Sequence, residues 1–142
     1  MIYKICSRCG TKFPVDQNCP NDCHNKNKKE LNRFYDKYSR KNKDFYNSLA
    51  WRKLRMICHN KYNHICLYSF FKYKRIIKSE TIHHIIEIEE DRNKSLDMDN
   101  LIPVSNSAHI EIHSLYNRDK INTQKELFEM IKKWEKLYET EG

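Results

Sequence analysis

The sequence has 142 residues, 39% of them hydrophobic and 12% aromatic, and carries a net charge of +8. This length suits one ordinary domain, or a small core with a metal-held appendage, and the composition argues against wholesale disorder. No segment approaches the roughly 18 consecutive apolar residues of a membrane span, and the N-terminus lacks a signal-peptide pattern. We therefore expect a cytoplasmic protein that does not enter a membrane.

The charge is unevenly distributed along the chain. Residues 24–80 contain 16 Lys or Arg against four Asp or Glu, whereas residues 81–142 contain eight against 13. A basic segment in front of a less basic one is typical of a protein that grips a phosphate backbone, with binding that weakens as salt is added. Lysines that only face solvent are the alternative interpretation.

Four of the six cysteines fall in the first 23 residues, as the pairs Cys6 and Cys9, and Cys19 and Cys23. Thiolates from two tight turns can surround a tetrahedral zinc ion, and Gly10 follows the first pair where such a turn is expected. The pattern predicts a structural zinc knuckle over residues 1–24, with His24 as a substitute for Cys23. Disulfides are the competing explanation, which a cytoplasmic location disfavours.

The middle of the chain is basic, and part of it is predicted to be helical. Residues 25–43 are rich in Asn and Lys, and we expect a basic linker that can become helical. From residue 44 to about residue 62, an apolar stripe predicts a helix. The stripe consists of Phe45, Leu49, Trp51, Leu54, Ile57 and Cys58. The same helix carries Arg52, Lys53 and Arg55, which are candidate DNA contacts unless they form a solvated face.

Four of the seven histidines lie between residues 81 and 116, namely His83, His84, His109 and His113. β-Branched residues around the first two predict a short strand, and residues 101–104 predict a second strand that forms a hairpin with it. Neighbouring side chains on a strand point to opposite faces, so His83 and His84 cannot have the same function.

A helix is predicted after the second strand, with Ser105 or Ser107 as its cap. It carries His109 and His113 four residues apart, which places both imidazoles on one face, a geometry that suits a metal ion. Metalloproteases also use a helical histidine pair, but their motif has Glu directly after the first His, where this chain has Ile110. Surface or hydrogen-bonded histidines remain the alternative for each signal taken alone.

The stretch resembles the HNH (ββα-metal, His-Me finger) endonucleases, because His84, Asn100, His109 and His113 have the spacing of that motif. Residues 45–55 are also similar to the helix that precedes the motif in phage HNH proteins. The resemblance implies an α+β fold in which a ββα-metal nuclease core with flanking helices, residues 44–142, follows the zinc knuckle.

The resemblance also implies a role for each motif residue. His84 would be the general base, and Asn100 would steady the loop and orient that base. His83 and His109 would ligate one divalent metal ion, with His113 as a third ligand. Many HNH enzymes have Asp where this chain has His83, so the ion stays open between Zn, Mn, Ni and Mg.

A second departure from the family concerns a structural zinc site that many phage relatives build from two cysteine pairs. Only one of those four ligands is present here, and the four positions are Cys66, Ser69, Ser105 and Ala108. We therefore expect apolar packing by Leu67, Phe70, Phe71 and the C-terminal helix in place of that ion. Cys58 and Cys66 are then interpreted as buried thiols.

The last predicted element is a helix that opens with a capping box from Thr123 to Glu126. Its apolar face consists of Leu127, Ile131, Trp134 and Tyr138. We expect this face to pack against the nuclease core, with a dimer contact as the alternative.

Together these patterns predict a metal-dependent endonuclease that hydrolyses phosphodiester bonds of double-stranded DNA. The resemblance implies a bacteriophage or prophage setting, with phage packaging proteins as candidate partners. The alternative function is that of a zinc-containing DNA-binding protein whose HNH fold persists without turnover. The sequence leaves the oligomeric state, the cleavage preference and the number of strands cut open.

Overall fold

The computed structural model describes residues 2–139, without the side chains of residues 34, 38, 39 and 139. Met1 and residues 140–142, the outer ends of two predicted domains, lie outside the described residues. Within that range, two antiparallel hairpins and five α-helices form the α+β architecture that the sequence predicts.

The N-terminal module consists of β1 (Tyr3–Ile5), β2 (Lys12–Pro14) and α1 (Cys23–Phe34). Gly10 takes a φ of +79° in the turn between the strands, and its N–H donates to the carbonyl of Cys6 at 2.9 Å. This left-handed conformation favours glycine. Helix α1 begins at Cys23, within the predicted knuckle, and runs on into the predicted linker of residues 25–43. The linker is therefore helical from its start. The three-part domain division of residues 1–24, 25–43 and 44–142 stays a prediction.

The prediction of a single helix over residues 44–62 is wrong, because the helix is interrupted at Ser48. A turn of 3₁₀-helix leads into α2 (Lys43–Asn47), and α3 (Leu49–Lys61) follows. Ser48 has an extended ψ of 149°, and its Oγ accepts a hydrogen bond from the Trp51 N–H at 3.2 Å. The serine therefore caps α3 and ends the helical run before it. Leu49 and Ile57 are exposed, so neither belongs to the apolar face that was predicted for them.

The predicted hairpin is confirmed and lies at the centre of the main core. It consists of β3 (Thr81–His84) and β4 (Leu101–Val104), which pair antiparallel with His83 opposite Ile102 and His84 opposite Leu101. The loop of residues 85–100 joins them and contains two turns of 3₁₀-helix. Helix α4 (Leu67–Tyr73) precedes the hairpin, and α5 (Asn106–Glu139) follows it. Ser105, not Ser107, caps α5, because its Oγ accepts from the Ala108 N–H at 3.1 Å.

Helix α5 is interrupted at Asp119, which has a non-helical φ of −156° and ψ of 80°. The prediction that Thr123 opens the C-terminal helix is therefore wrong by four residues. The Asp119 carboxylate accepts hydrogen bonds from the backbone and side chain of Asn122, at 3.3 and 2.6 Å. The Thr123 hydroxyl instead donates back to the Asp119 carbonyl at 2.7 Å, a bond typical of a helix interior.

The predicted packing of the C-terminal helix on the nuclease core is confirmed. Leu127, Ile131 and Trp134 are buried in the same core as the hairpin, whereas Tyr138 is 46% exposed. Phe70 of α4 packs edge-on against Trp134, with ring centroids 5.7 Å apart. Apolar packing therefore holds this region together, as expected.

The four positions of the relatives' second zinc site lie within this packed region. They are Cys66, Ser69, Ser105 and Ala108, and all four are buried. Cys66 Sγ lies 3.3 Å from Ser69 Oγ. The interpretation of Cys58 and Cys66 as buried thiols is confirmed, since both are fully enclosed.

The N-terminal module rests on the main core through polar contacts at the start of α5. Ser107 Oγ lies 3.0 Å from Ser7 Oγ and accepts from Asn27 Nδ2 at 2.9 Å. The Arg75 guanidinium lies directly against Gly10, where a Cβ atom would come within 2.5 Å of it. None of the helices in the described part of the chain combines the length and apolarity that a membrane crossing requires.

Candidate active site

Three histidines from two elements converge beside the central hairpin. His83 lies on β3, and His109 and His113 lie one turn apart on the first part of α5. His109 Nε2 is 3.1 Å from His83 Nδ1 and 3.2 Å from His113 Nε2. Nitrogen ligands about 2.1 Å from a tetrahedral ion lie about 3.4 Å from each other, so this spacing fits a shared metal ion.

The electrostatics of this cluster also suit a metal ion. Burial lowers the pKa of His109 to about 3 and that of His113 to about 2, and it lowers the pKa of His83 well below its usual range. All three imidazoles are therefore neutral near pH 7, which leaves a nitrogen lone pair on each for ligation. All three donor atoms are imidazole nitrogens. Ions such as Zn²⁺ and Ni²⁺ bind imidazole well, whereas Mg²⁺ prefers oxygen ligands.

His84 points to the opposite face of β3 from His83, as the alternation along a strand predicts. Its ring stacks on Trp51 of α3, with centroids 4.8 Å apart and planes 26° apart. The Nε2–H donates to the backbone carbonyl of Ser95 at 2.9 Å, so Nδ1 carries the lone pair. Burial lowers the pKa of His84, while the Ser95 hydrogen bond opposes this shift.

Asn100 is buried at the end of the loop and holds two segments of it together. Its Oδ1 accepts from the Ile86 N–H at 2.7 Å, and its Nδ2 donates to the carbonyls of Ile86 and Lys94 at 2.9 and 3.2 Å. Lys94 directly precedes Ser95, whose carbonyl holds His84. The side chain of Asn100 therefore fixes the loop that orients the His84 imidazole.

All four histidines of the motif line one cavity of about 180 Å³. Of the three predicted DNA contacts, Arg55 also lines this cavity, and its guanidinium donates to the Glu80 carbonyl at 3.2 Å. Arg52 and Lys53 are exposed on the same helix. The structure therefore brings Arg55 next to the histidines and leaves the other two on the surface of α3.

The four N-terminal cysteines form a second cluster, in which all sulfur atoms lie within 4.8 Å of one another. Four thiolates about 2.3 Å from a tetrahedral zinc ion lie about 3.8 Å apart, so this donor set fits zinc. Hydrogen bonds with Thr11 and Asn21 lower the pKa of Cys9 to about 5, which favours its thiolate, whereas burial raises the pKa of Cys19 and raises that of Cys23 to about 12. The fourth member of the cluster is Cys23. His24, the alternative ligand, is exposed and is not part of the cluster.

Two contributors to the site are absent from the predictions. Tyr116 lies 2.9 Å from His83 Nε2 through its hydroxyl oxygen. Its spacing was a usable signal, because His109, His113 and Tyr116 follow the i, i+4, i+7 pattern of one helix face. The contact between Ser95 and His84 has no comparable signal in the sequence, since it is made by the backbone carbonyl and not by the serine side chain. Trp51 was predicted as a core residue, and its contact with His84 depends on the tertiary packing of α3.

The hairpin and the helix that together carry this histidine cluster have the arrangement of the ββα-metal class of nucleases. No family model and no curated protein matches the sequence. Among solved structures, the chain is similar to the HNH endonuclease of the deep-sea thermophilic bacteriophage GVE2, which was solved with a manganese ion. The two share 26% identity with a TM-score of 0.52, over 69% of this chain and 97% of the phage enzyme. This structural match supports the resemblance to the HNH nucleases that the histidine and asparagine motif indicates.

Proposed function

We propose that the chain is a metal-dependent endonuclease that hydrolyses phosphodiester bonds of double-stranded DNA. The observation that carries this proposal is the placement of a three-imidazole cluster and a fourth, separately held imidazole around one cavity. Phosphodiester hydrolysis needs these two components, an electrophilic ion and a base that activates water.

His83, His109 and His113 are the residues that would hold the ion. When bound, a divalent ion supplies charge stabilisation for the phosphoryl oxygens and for the leaving oxygen. A set of three protein ligands would leave room beside the ion for solvent and substrate. Imidazole donors support Zn²⁺, Mn²⁺ or Ni²⁺ over Mg²⁺, and the similar phage enzyme contains manganese.

His84 is the proposed general base, and it accepts the proton of the attacking water at Nδ1. The Ser95 carbonyl keeps the ring proton on Nε2, and the stack on Trp51 fixes the ring plane. Because burial lowers the pKa of His84, the imidazole is unprotonated and ready to act near neutral pH. Asn100 is proposed to preserve this orientation through its hydrogen bonds to the loop.

The proposed DNA contacts extend from the cavity along α3. Arg55 lines the cavity and would reach a phosphate beside the histidines, while Arg52 and Lys53 add charge on the exposed face. The excess of positive charge over residues 24–80 supports a phosphate backbone as the partner. The four cysteines are proposed to hold a structural zinc ion that folds the N-terminal module.

The proposed setting is a bacteriophage or prophage gene product that acts in the cytoplasm of a bacterial host. The phage source of the similar endonuclease supports this setting. Phage packaging proteins are candidate partners in that setting.

Plasmid cleavage by wild type and His84→Ala, with EDTA, Mg²⁺, Mn²⁺, Ni²⁺ and Zn²⁺ compared in parallel, tests the proposal. Because a general base contributes about 10²–10⁴-fold in rate, we expect His84→Ala to lose cleavage by that factor and to keep DNA binding. His24→Ala is the matched control, since it removes an exposed imidazole from α1. A wild type that binds DNA but cuts under no metal would instead support a DNA-binding protein with a silent HNH fold.

A further inference from the structure

Tyr116 connects the metal-ligand cluster to the loop after β3. It lies on the α5 face that carries His109 and His113, and it is 7% exposed. Its hydroxyl oxygen is 2.9 Å from His83 Nε2 and 2.6 Å from the carbonyl oxygen of Ile85. A tyrosine hydroxyl carries its proton at neutral pH and can donate one hydrogen bond and accept others.

The position of this single proton decides the tautomer of His83. A carbonyl oxygen can only accept a hydrogen bond, so the Tyr116 hydroxyl donates its one proton to Ile85. The Tyr116 oxygen then accepts from His83, whose Nε2 must be the protonated nitrogen. The lone pair of His83 is therefore on Nδ1, the atom that faces His109 Nε2 at 3.1 Å.

We propose that Tyr116 is a positioning residue of the metal centre, which holds His83 in the tautomer whose Nδ1 lone pair is directed at the ion. This inference rests on the metal centre proposed above. Histidine ligands commonly donate their second N–H to an acceptor, which fixes the ring and raises its basicity as a ligand. Here the acceptor is a hydroxyl that a backbone carbonyl holds in a single orientation.

A purely structural role for Tyr116 can be separated from this one, because a second side chain supports the same loop. Gln124 Nε2 donates to the Ile85 carbonyl at 3.0 Å and to Glu90 Oε1 at 3.1 Å. Gln124→Met therefore removes these loop contacts, together with the interaction of Gln124 with the Tyr116 hydroxyl, and keeps the hydroxyl that lies against His83. Tyr62→Phe is the second control, since the Tyr62 hydroxyl is buried with no hydrogen-bond partner among the described residues.

The first readout needs no metal at the histidine site. Imidazole ¹⁵N spectra of the zinc-containing protein report which nitrogen of His83 is protonated. We expect protonation at Nε2 in wild type, Gln124→Met and Tyr62→Phe, and a mixture of both tautomers in Tyr116→Phe. A wild-type His83 protonated at Nδ1, or an unchanged tautomer in Tyr116→Phe, would overturn the inference.

The second readout is the affinity for Mn²⁺, followed by the electron paramagnetic resonance of the free ion. Loss of a hydrogen bond behind a metal ligand costs about 10–100-fold in affinity, which we expect for Tyr116→Phe and for neither control. Equal weakening in Tyr116→Phe and Gln124→Met would show that the loop, not the tautomer, matters, and would overturn the inference. A wild type that binds no Mn²⁺ contradicts the proposed metal centre, while the tautomer comparison still decides the role of Tyr116.

Discussion

The cysteine cluster and the histidine cluster differ in donor atoms, in number of ligands and in their surroundings. The four cysteines lie in a small module whose own buried apolar cluster is Cys6, Phe13, Cys19 and Cys23. The three histidines lie beside the large core of the hairpin, α3, α4 and α5, and line a cavity. Four thiolates complete a tetrahedral coordination sphere, whereas three imidazoles leave positions open. This difference is why the proposed function assigns folding to the cysteine cluster and catalysis to the histidine cluster.

The largest expected effect comes from removing a cysteine ligand. Because the N-terminal module has so small a core, its folding should depend on zinc binding, which is worth about 10–16 kcal/mol in zinc-finger peptides. We expect Cys19→Ser to lose zinc and to lose amide protection over residues 2–34, while His84-dependent cleavage persists. Zinc analysis and hydrogen exchange measure both effects.

Cys66→Ser is the matched control for that experiment. It removes a buried thiol outside the cluster and keeps a side chain that can cap α4. The control should keep its zinc and its amide protection. Loss of cleavage in Cys19→Ser, at equal DNA binding, would contradict the separation of the two clusters.

A smaller effect is expected at Asn100, on the histidine side of the comparison. Its three hydrogen bonds to Ile86 and Lys94 are buried, and leaving such partners unsatisfied costs about 1–3 kcal/mol each. Asn100→Ala should lower the free energy of unfolding in urea, and it should lower cleavage by about a hundredfold through misplacement of His84. The exposed Asn93→Ala is the control. Wild-type cleavage by Asn100→Ala would contradict the positioning role.

The smallest effect concerns a buried histidine outside both clusters. His59 Nδ1 lies 2.7 Å from Ser79 Oγ, and burial lowers the pKa of His59 to about 4. The unfolded chain, with an ordinary pKa near 6.5, binds the proton first as the pH falls, so stability is full above pH ~6.5 and declines toward pH ~4. We expect His59→Gln to show a smaller drop in urea midpoint between pH 7 and pH 5. An unchanged drop would assign the acid sensitivity to other groups.

The sequence predicts the hairpin, the opposite directions of His83 and His84, and the spacing of the helical histidines, because strand and helix periods fix these relations locally. The breaks at Ser48 and Asp119 were not predicted, since each depends on which of several side chains caps the helix. At Ser48, the apolar stripe continues on both sides of the serine and favours one uninterrupted helix. At Asp119, both Asp119 and Thr123 are suitable N-cap residues, and the sequence does not say which one begins the helix. The hydrogen bond from His84 to the Ser95 carbonyl could not be predicted, because the position of that carbonyl depends on the course of the loop, which the buried amide of Asn100 holds in place.

The measurement that tests the account most directly is cleavage by wild-type protein after mild dialysis against EDTA, with the metal content determined on the same sample. We expect one retained zinc ion per chain at the cysteines, no cleavage, and recovery of cleavage on addition of Mn²⁺. Cleavage that persists with the histidine site stripped, or that returns only when zinc is restored to the cysteines, would contradict the assignment of catalysis to His83, His84, His109 and His113.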